Sequence, residues 1–167
     1  MDVKYINPFM TAVKNVFKTM LQMDVQFGKP HVKTEEGASH DVSGIIGLSG
    51  DVVGAVIVSF PRLAATRIAS AFAGLDLSES DDDFADAIGE LANMISGNAK
   101  KDFDGLRVFI STPSVVIGSN HLIRNTKVTP RLVIPCTCPG GSFVVEVGMK
   151  ASGNAQNQEQ EATVAVG

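Results

Sequence analysis

The sequence predicts an α+β fold in which three helices pack against a largely antiparallel sheet. Three segments carry apolar residues at helical spacing, and they lie at 5–23, 62–75 and 82–102. The segments between them are rich in valine and isoleucine and are bounded by glycine and proline, as antiparallel strands are. Helix, strand and hairpin follow in that order at 5–60 and again at 82–150, so we expect two similar halves joined by the second helix.

The first half begins with a helix in YINPFMTAVKNVFKTMLQM, where Asn7 and Pro8 form a start signal. The next segment, DVQFGKPHVKTEE, predicts a strand that is interrupted near Gly28 and Pro30. VSGIIGLSG and DVVGAVIVSF then predict two antiparallel strands that are joined by a turn at Gly50.

The second helix follows Pro61, is formed by RLAATRIASAFAG and is closed by Gly74. Three of its apolar residues are expected to contact the core: Leu63, Ile68 and Phe72. After the third helix, LRVFISTPSVVIG predicts a strand in which Pro113 marks a bulge, an edge or a loop, and RLVIPCTC and SFVVEVGMK predict a second hairpin. Residues 1–150 are therefore expected to form one domain, and the polar, Gln- and Asn-rich stretch 151–167 a flexible tail.

Composition narrows the class of protein. An apolar share of 44% and a charged share of 19% are ordinary for a soluble globular chain. The net charge of −4 lacks the basic excess of a nucleic-acid-binding protein. No apolar run approaches the roughly 18 residues of a membrane span, and no signal peptide is recognisable at the start. We therefore expect a cytoplasmic protein without a nucleic-acid or membrane partner.

No metal site is expected. Cys136 and Cys138 are one residue apart, where a disulfide would be strained and two thiols fall short of a tetrahedral zinc site. We interpret them as reduced residues of a strand. His31, His40 and His121 are scattered without the spacing of metal ligands. The acidic stretch DLSESDDD before the third helix is better explained by the helix dipole, which favours negative charge there by roughly 0.3–1 kcal/mol per residue.

The candidate functional site is a polar stripe on the third helix, formed by Asp86, Glu90, Asn93 and Gly97. A second, apolar stripe lies on the opposite side of the same helix and should face the core: Phe84, Ile88, Leu91 and Ile95. A carboxylate and an amide held side by side on a rigid helix suit insertion into another protein's site. Gly97 and the neighbouring Gly89 each cost the helix about 1 kcal/mol relative to alanine, which indicates a surface that is approached closely, either by a partner or by another part of this chain.

The segment DAIGELANMISG, residues 86–97, resembles the signature of the CheC/CheX/FliY chemotaxis phosphatases, in which Asp or Ser is followed by Glu and then Asn. The resemblance extends over most of residues 1–150, through the INPF opening, the GLSGDVVGAVIVSFP hairpin and a proline similar to Pro113. The first helix has no second Glu-x-x-Asn, which is similar to the single-site CheX branch and unlike the CheC and FliY members with two sites. The resemblance thus implies a CheC-like fold with one site per chain.

The family's activity implies hydrolysis of the aspartyl phosphate of a CheY-like response regulator in two-component signalling. By matching positions, Asn93 would orient the attacking water and Glu90 would engage the partner, with the partner's active-site lysine as the expected contact. Gly97 would allow close approach, and Asp86 would either contact the partner or serve the electrostatics of the helix N-terminus. The divalent cation, expected to be Mg²⁺, would belong to the partner, and this chain would need no cofactor of its own. A homodimer is expected, as in the CheX branch.

Two other readings stay open. A non-catalytic binding module of the same fold could dock a response regulator or a flagellar or signalling component, although a pure adaptor has no need of the amide of Asn93. A structural protein could carry the Glu-x-x-Asn spacing by accident, but the wider pattern from Asp86 to Gly97 counts against this.

Overall fold

The structure is a computed structural model that describes residues 5–124 and 130–153. Its helices are α1 (Ile6–Leu21), α2 (Arg62–Ala73) and α3 (Asp82–Ala99), the last followed by a 3₁₀ turn, Lys100–Asp102. The strands of the described ranges are β1 (Gln26–Phe27), β2 (His31–Val32), β3 (Val42–Gly50), β4 (Val52–Phe60), β5 (Val108–Ile110), β6 (Ser114–Ile117), β7 (Leu132–Cys138) and β8 (Gly141–Ala151).

The strands form one sheet in the order β1-β7-β8-β4-β3-β5, with β2 also paired to β7 and β6 also paired to β3. All of these pairs are antiparallel. The short strands of each half pair with the hairpin of the other half, since β1 and β2 lie beside β7 while β5 and β6 lie beside β3. The predicted α+β fold with two similar halves is therefore confirmed, and the two halves are interleaved within a single sheet.

The hydrophobic core lies between the three helices and one face of the sheet. Phe143 of β8 stacks on Phe17 of α1 with ring centroids 4.8 Å apart, and on Phe60 of β4 at 5.2 Å. Val145, the next residue of β8 on that face, pairs with Val58 of β4, and both side chains are fully buried. Aromatic rings at the centre of the sheet thus fix the position of α1, as stacked pairs do.

The local predictions agree closely with the structure. The strand expected around Gly28 and Pro30 is divided into β1 and β2, and Pro113 separates β5 from β6. Gly50 ends β3 with a φ of +104°, and Gly74 closes α2 with a φ of +68°. Helix α3 and its 3₁₀ turn together end at Asp102, where the predicted helix ends.

The second helix buries a narrower face than expected. Ile68 is fully buried, but Leu63 is 63% exposed, and the prediction of Leu63 as a core contact is wrong. Phe72 is half-buried against the edge of the core. The physical reason is that α2 packs mainly through small residues, and the buried alanines are Ala64, Ala65 and Ala69. Larger residues at other angles around the helix therefore remain open to solvent.

The opposite face of the sheet carries a buried ionic cluster. Glu146 of β8 is fully buried, and its Oε1 accepts hydrogen bonds from Lys33 Nζ at 2.7 Å and from Ser39 Oγ at 2.5 Å. Arg131 Nη1 lies 3.1 Å from the other carboxylate oxygen, close enough for an ion pair although not aligned as a hydrogen bond. The loop before β3 therefore covers this face of the sheet and is held to it by charge.

The described chain continues past residue 150, the last residue of the predicted domain. Strand β8 includes Ala151, and the Ser152 N–H donates a hydrogen bond to the Asp51 carbonyl at 2.8 Å. The rest of the predicted tail, residues 154–167, lies outside the described residues, as do 1–4 and 125–129. Among the described helices, none has the length and apolarity that crossing a membrane requires.

Candidate functional site

Helix α3 carries the candidate site and is held firmly against the sheet. Its inward face is buried along the whole helix: Phe84, Ile88, Leu91, Ile95 and Ala99. The helix also lies directly on β3, because a methyl group on Gly44 would come within 3.0 Å of Ala92 Cβ and 3.1 Å of the Ile88 carbonyl oxygen. Such close packing leaves the helix little freedom to move, so the backbone from which the outer side chains project has a fixed position.

The structure places the polar stripe where the sequence predicts it. Asp86 and Glu90 are exposed, and Asn93 and Gly97 are half-buried on the outer side of α3. Within the described residues, the side chains of Asp86, Glu90 and Asn93 make no hydrogen bond and no ion pair. Their donors and acceptors are therefore available to another molecule. Glu90 and Asn93 lie about 4.5 Å apart along the helix axis, so a single partner surface can contact both.

The two glycines of α3 have different reasons to be glycine. A methyl group on Gly89 would lie 3.3 Å from Pro113 Cβ and from Val115 Cγ2. The space beside Gly89 is therefore filled by other residues of this chain. A methyl group on Gly97 would meet only Ile110 Cδ1, at an ordinary 3.8 Å. The sequence left open whether these glycines allow close approach by a partner or by another part of the chain, and the answer differs between them. Gly89 serves internal packing, whereas no internal contact of the described chain requires Gly97.

Beside the stripe lies a groove of about 660 Å³ between the end of α2, the outer side of α3 and β6, which we call the α2–α3 groove. Its walls are mainly apolar: Phe72, Leu75, Pro113 and Val115. Its rim is acidic: Asp83, Asp86 and Glu90. Sequence reasoning missed this groove. The available signals were Pro113, already singled out by resemblance, and an apolar Leu75 placed directly after a helix-closing glycine.

The N-terminus of α3 carries an acidic cluster that shares Asp83 with the rim of the groove. Asp81 is the N-cap residue, but its carboxylate accepts hydrogen bonds from Ser78, from the backbone N–H at 2.7 Å and from Oγ at 3.0 Å. The backbone bond is the main reason why the pKa of Asp81 lies below its usual value. Asp82 and Asp83 occupy the first turn, where the helix dipole favours them. These residues stabilise the start of α3.

The two cysteines and His121 lie in internal contacts of the described chain. Cys136 and Cys138 are unpaired and buried on one face of β7, and burial raises the pKa of the Cys136 thiol to about 12, which keeps it protonated. His121 Nδ1 and Nε2 lie at hydrogen-bond distance from the Gly118 carbonyl (2.8 Å) and Ser43 Oγ (3.0 Å). Among the residues that the structure describes, no group of three or more His, Cys, Asp or Glu side chains could hold a metal ion.

Comparison with known proteins gives a consistent set of relatives. The family model described as "Chemotaxis phosphatase CheX" matches residues 42–137. The CheY-P phosphatase CheX of Thermotoga maritima is 30% identical over 137 residues, which cover 80% of this chain and 88% of the relative.

Solved structures agree over nearly the whole domain. The crystal structure of a chemotaxis protein CheX from Desulfovibrio desulfuricans matches with a TM-score of 0.81 and 34% identity, covering 88% of this chain and 99% of that chain. The CheX-CheY-BeF3-Mg²⁺ complex from Borrelia burgdorferi matches with a TM-score of 0.75 and 29% identity, covering 89% of this chain and 99% of that chain.

The range matched by the family model includes the segment 86–97. The family model covers all of α3, and the structural agreement extends beyond it to the interleaved sheet. The stripe occurs once, on α3, and α1 carries no Glu-x-x-Asn. This chain belongs to the CheX family of chemotaxis phosphatases.

Proposed function

We propose that this protein hydrolyses the aspartyl phosphate of a CheY-like response regulator, with Asn93 orienting the attacking water and Glu90 engaging the regulator. The observation that carries the proposal is a carboxylate and an amide, neither of which has a partner among the described residues, on the outer side of a firmly packed helix in a chain of the CheX family. One relative is named a CheY-P phosphatase, and the solved Borrelia burgdorferi complex contains CheX together with CheY.

Asn93 suits the task of positioning water. An amide is not a general base, but its carbonyl oxygen and N–H₂ group can hold a water molecule in line with the phosphorus atom. Its neutrality avoids repulsion of the negatively charged phosphoryl group. Because α3 is fixed against β3, the backbone that carries the amide is already positioned before the regulator binds, and such positioning lowers a barrier.

Glu90 suits a contact with a cation of the regulator. Its carboxylate is exposed, has no partner in the described chain and lies one turn before Asn93. A lysine of the regulator's active site would form a charge-assisted hydrogen bond with it, and the pair would fix the register of the two proteins. Gly97, on the other side of Asn93, would keep the helix narrow where the regulator approaches.

The metal ion of the reaction would belong to the regulator. The Borrelia burgdorferi complex contains Mg²⁺ and BeF3, the latter an analogue of a phosphoryl group. A divalent cation supplies stabilisation of charge on the phosphoryl oxygens. Residues of this chain would then add the positioned water and the partner contact.

Phosphate release from a panel of phosphorylated CheY-like receivers tests the proposal. We expect the purified protein to shorten the lifetime of at least one phosphorylated receiver when Mg²⁺ is present. Tight binding of a receiver without faster phosphate release would instead favour the non-catalytic binding module. Neither binding nor release with any receiver of the source organism would contradict both readings.

We also propose that the chain forms a homodimer through an edge of the sheet. Edge strands leave backbone groups unpaired and are natural places for association. The edge strand β5 exposes Phe109 to 62%, and β2 exposes Val32 to 53%. Light scattering on the purified protein should give about twice the chain mass at micromolar concentration, and a single-chain mass would contradict the proposal.

A further inference from the structure

We propose that the α2–α3 groove is a specificity site for the regulator: it accepts an apolar side chain of the receiver that has a lysine or arginine nearby. This inference rests on the proposed function and names a second point of contact for the same partner. The reaction chemistry would be carried by Asn93, and the choice of receiver by the groove.

The apolar wall of the groove is exposed and yet held in place. Leu75 is 57% exposed. Its position is set by the end of α2, because the N–H groups of Gly74 and Leu75 both donate to the Ser70 carbonyl, at 2.9 and 3.2 Å. On the other side, Pro113 is pressed against Gly89. An apolar surface whose backbone is fixed in this way can bury a partner's side chain without also ordering a loop.

The rim gives the groove its charge preference. Asp83, Asp86 and Glu90 lie along one edge and span about 10 Å of helix. None of these three carboxylates forms an ion pair with another described residue. The rim therefore favours an occupant that combines an apolar group with positive charge, and an acidic segment would be repelled by it.

The groove is continuous with the polar stripe. Asp86 and Glu90 belong to both, and Asp86 lies about 10 Å along the helix from Asn93. A receiver whose phosphorylated residue lies over Asn93 would thus also cover the groove. Receivers share the chemistry of their phosphorylation site but differ in the surrounding surface, so contacts about 10 Å away can discriminate between them where contacts at the phosphoryl group cannot.

The test compares Leu75→Ala with a matched control, Leu63→Ala. Leu63 is 63% exposed on α2, the helix that Leu75 follows, but it does not line the groove. Titration calorimetry measures the Kd of each protein for a receiver activated with BeF3 and Mg²⁺. Leu75→Ala removes three side-chain carbons that are about half exposed to solvent and that the receiver would bury. Their loss should raise Kd about tenfold. We expect less than a twofold change for Leu63→Ala. In turnover assays, Leu75→Ala should raise KM and leave kcat unchanged, since Asn93 and Glu90 are retained.

A second experiment tests the charge preference of the groove. Asp86→Asn should weaken binding and make it less sensitive to salt, because one attraction between the rim and the receiver is removed. An unchanged salt dependence would contradict a basic occupant.

Several results would overturn the groove proposal. Equal Kd values for wild type and Leu75→Ala would do so, as would equal weakening by Leu63→Ala. A change of the dimer mass in Leu75→Ala would show that a second copy of the chain occupies the groove. Failure of wild type to bind any activated receiver would exclude the groove as a receiver site. By contrast, binding that depends on Leu75 without any hydrolysis would support the groove and refute the phosphatase function.

Discussion

Gly97→Ala should separate stability from function. The substitution adds one methyl group on the outer side of α3. Glycine in a helix interior costs about 1 kcal/mol relative to alanine. The new methyl would contact only Ile110 Cδ1, at 3.8 Å, so no strain offsets the gain. We expect the free energy of unfolding to rise by about 0.5–1 kcal/mol and Tm by roughly 1–4 °C.

Activity should change in the opposite direction. The methyl group would stand beside Asn93 on the surface that the regulator is proposed to approach, and we expect kcat/KM for phosphate release to fall by about tenfold or more, as when a reacting group is displaced by about 1 Å. Thermal and urea denaturation measure the first effect, and phosphate release from a phosphorylated receiver measures the second.

Gly89→Ala is the matched comparison. There the methyl would be crowded by Pro113 and Val115 at 3.3 Å, so the gain in stability should be smaller than at Gly97 or absent. A Gly97→Ala protein that is more stable and fully active would refute the idea that this glycine serves the partner. A less stable one would refute the packing argument itself.

Three further predictions concern single side chains. Glu90→Gln should raise KM for the receiver and leave stability unchanged. Glu35 is also exposed but lies on the loop before β3, so Glu35→Gln should alter neither quantity. An equal change of KM in the two variants would contradict a role for Glu90. Glu146→Gln should destabilise the fold by about 3 kcal/mol in urea denaturation, because it leaves two nearly buried cations without their carboxylate; a loss below about 1 kcal/mol would contradict this. Burial lowers the pKa of His40 in the folded chain, so the imidazole of the unfolded chain binds a proton more readily. The free energy of unfolding therefore carries no penalty from His40 above about pH 6.5, the ordinary pKa of histidine, and falls as the pH drops below that value. His40→Asn should therefore lose less stability than wild type between pH 7.5 and 5.5, and an identical loss would exclude His40 as a cause.

The candidate site could be predicted because it is local. Four residues within one helix share a face through the geometry of the helix alone, and the apolar stripe that includes Ile88 and Leu91 shows which side faces the core. Glu90 and Asn93 therefore lie in the structure as they do in the sequence pattern. What the pattern left open was the reason for each glycine, since this depends on Pro113, which lies more than twenty residues away.

Features that depend on distant parts of the chain could not be predicted. The order of strands requires β5 and β6 to pair with β3 of the other half, and periodicity does not specify a strand's partner. Glu146 is a charged strand residue that is fully buried, because Lys33 and Ser39, more than 100 positions earlier in the chain, cover it. The α2–α3 groove likewise brings together Leu75 and Pro113 only in the folded chain.

The most direct test of the central claim is the rate of phosphate release in Asn93→Ala. Asn98→Ala is the matched control, because Asn98 lies on the same helix and its amide donates to the Met94 carbonyl at 2.8 Å. With a saturating amount of a phosphorylated receiver, Asn93→Ala should release phosphate no faster than the receiver alone. Its Tm and its affinity for the BeF3-activated receiver should stay close to those of wild type, and Asn98→Ala should remain active. An Asn93→Ala protein that still accelerates phosphate release would contradict the assignment of Asn93 as the residue that orients the attacking water.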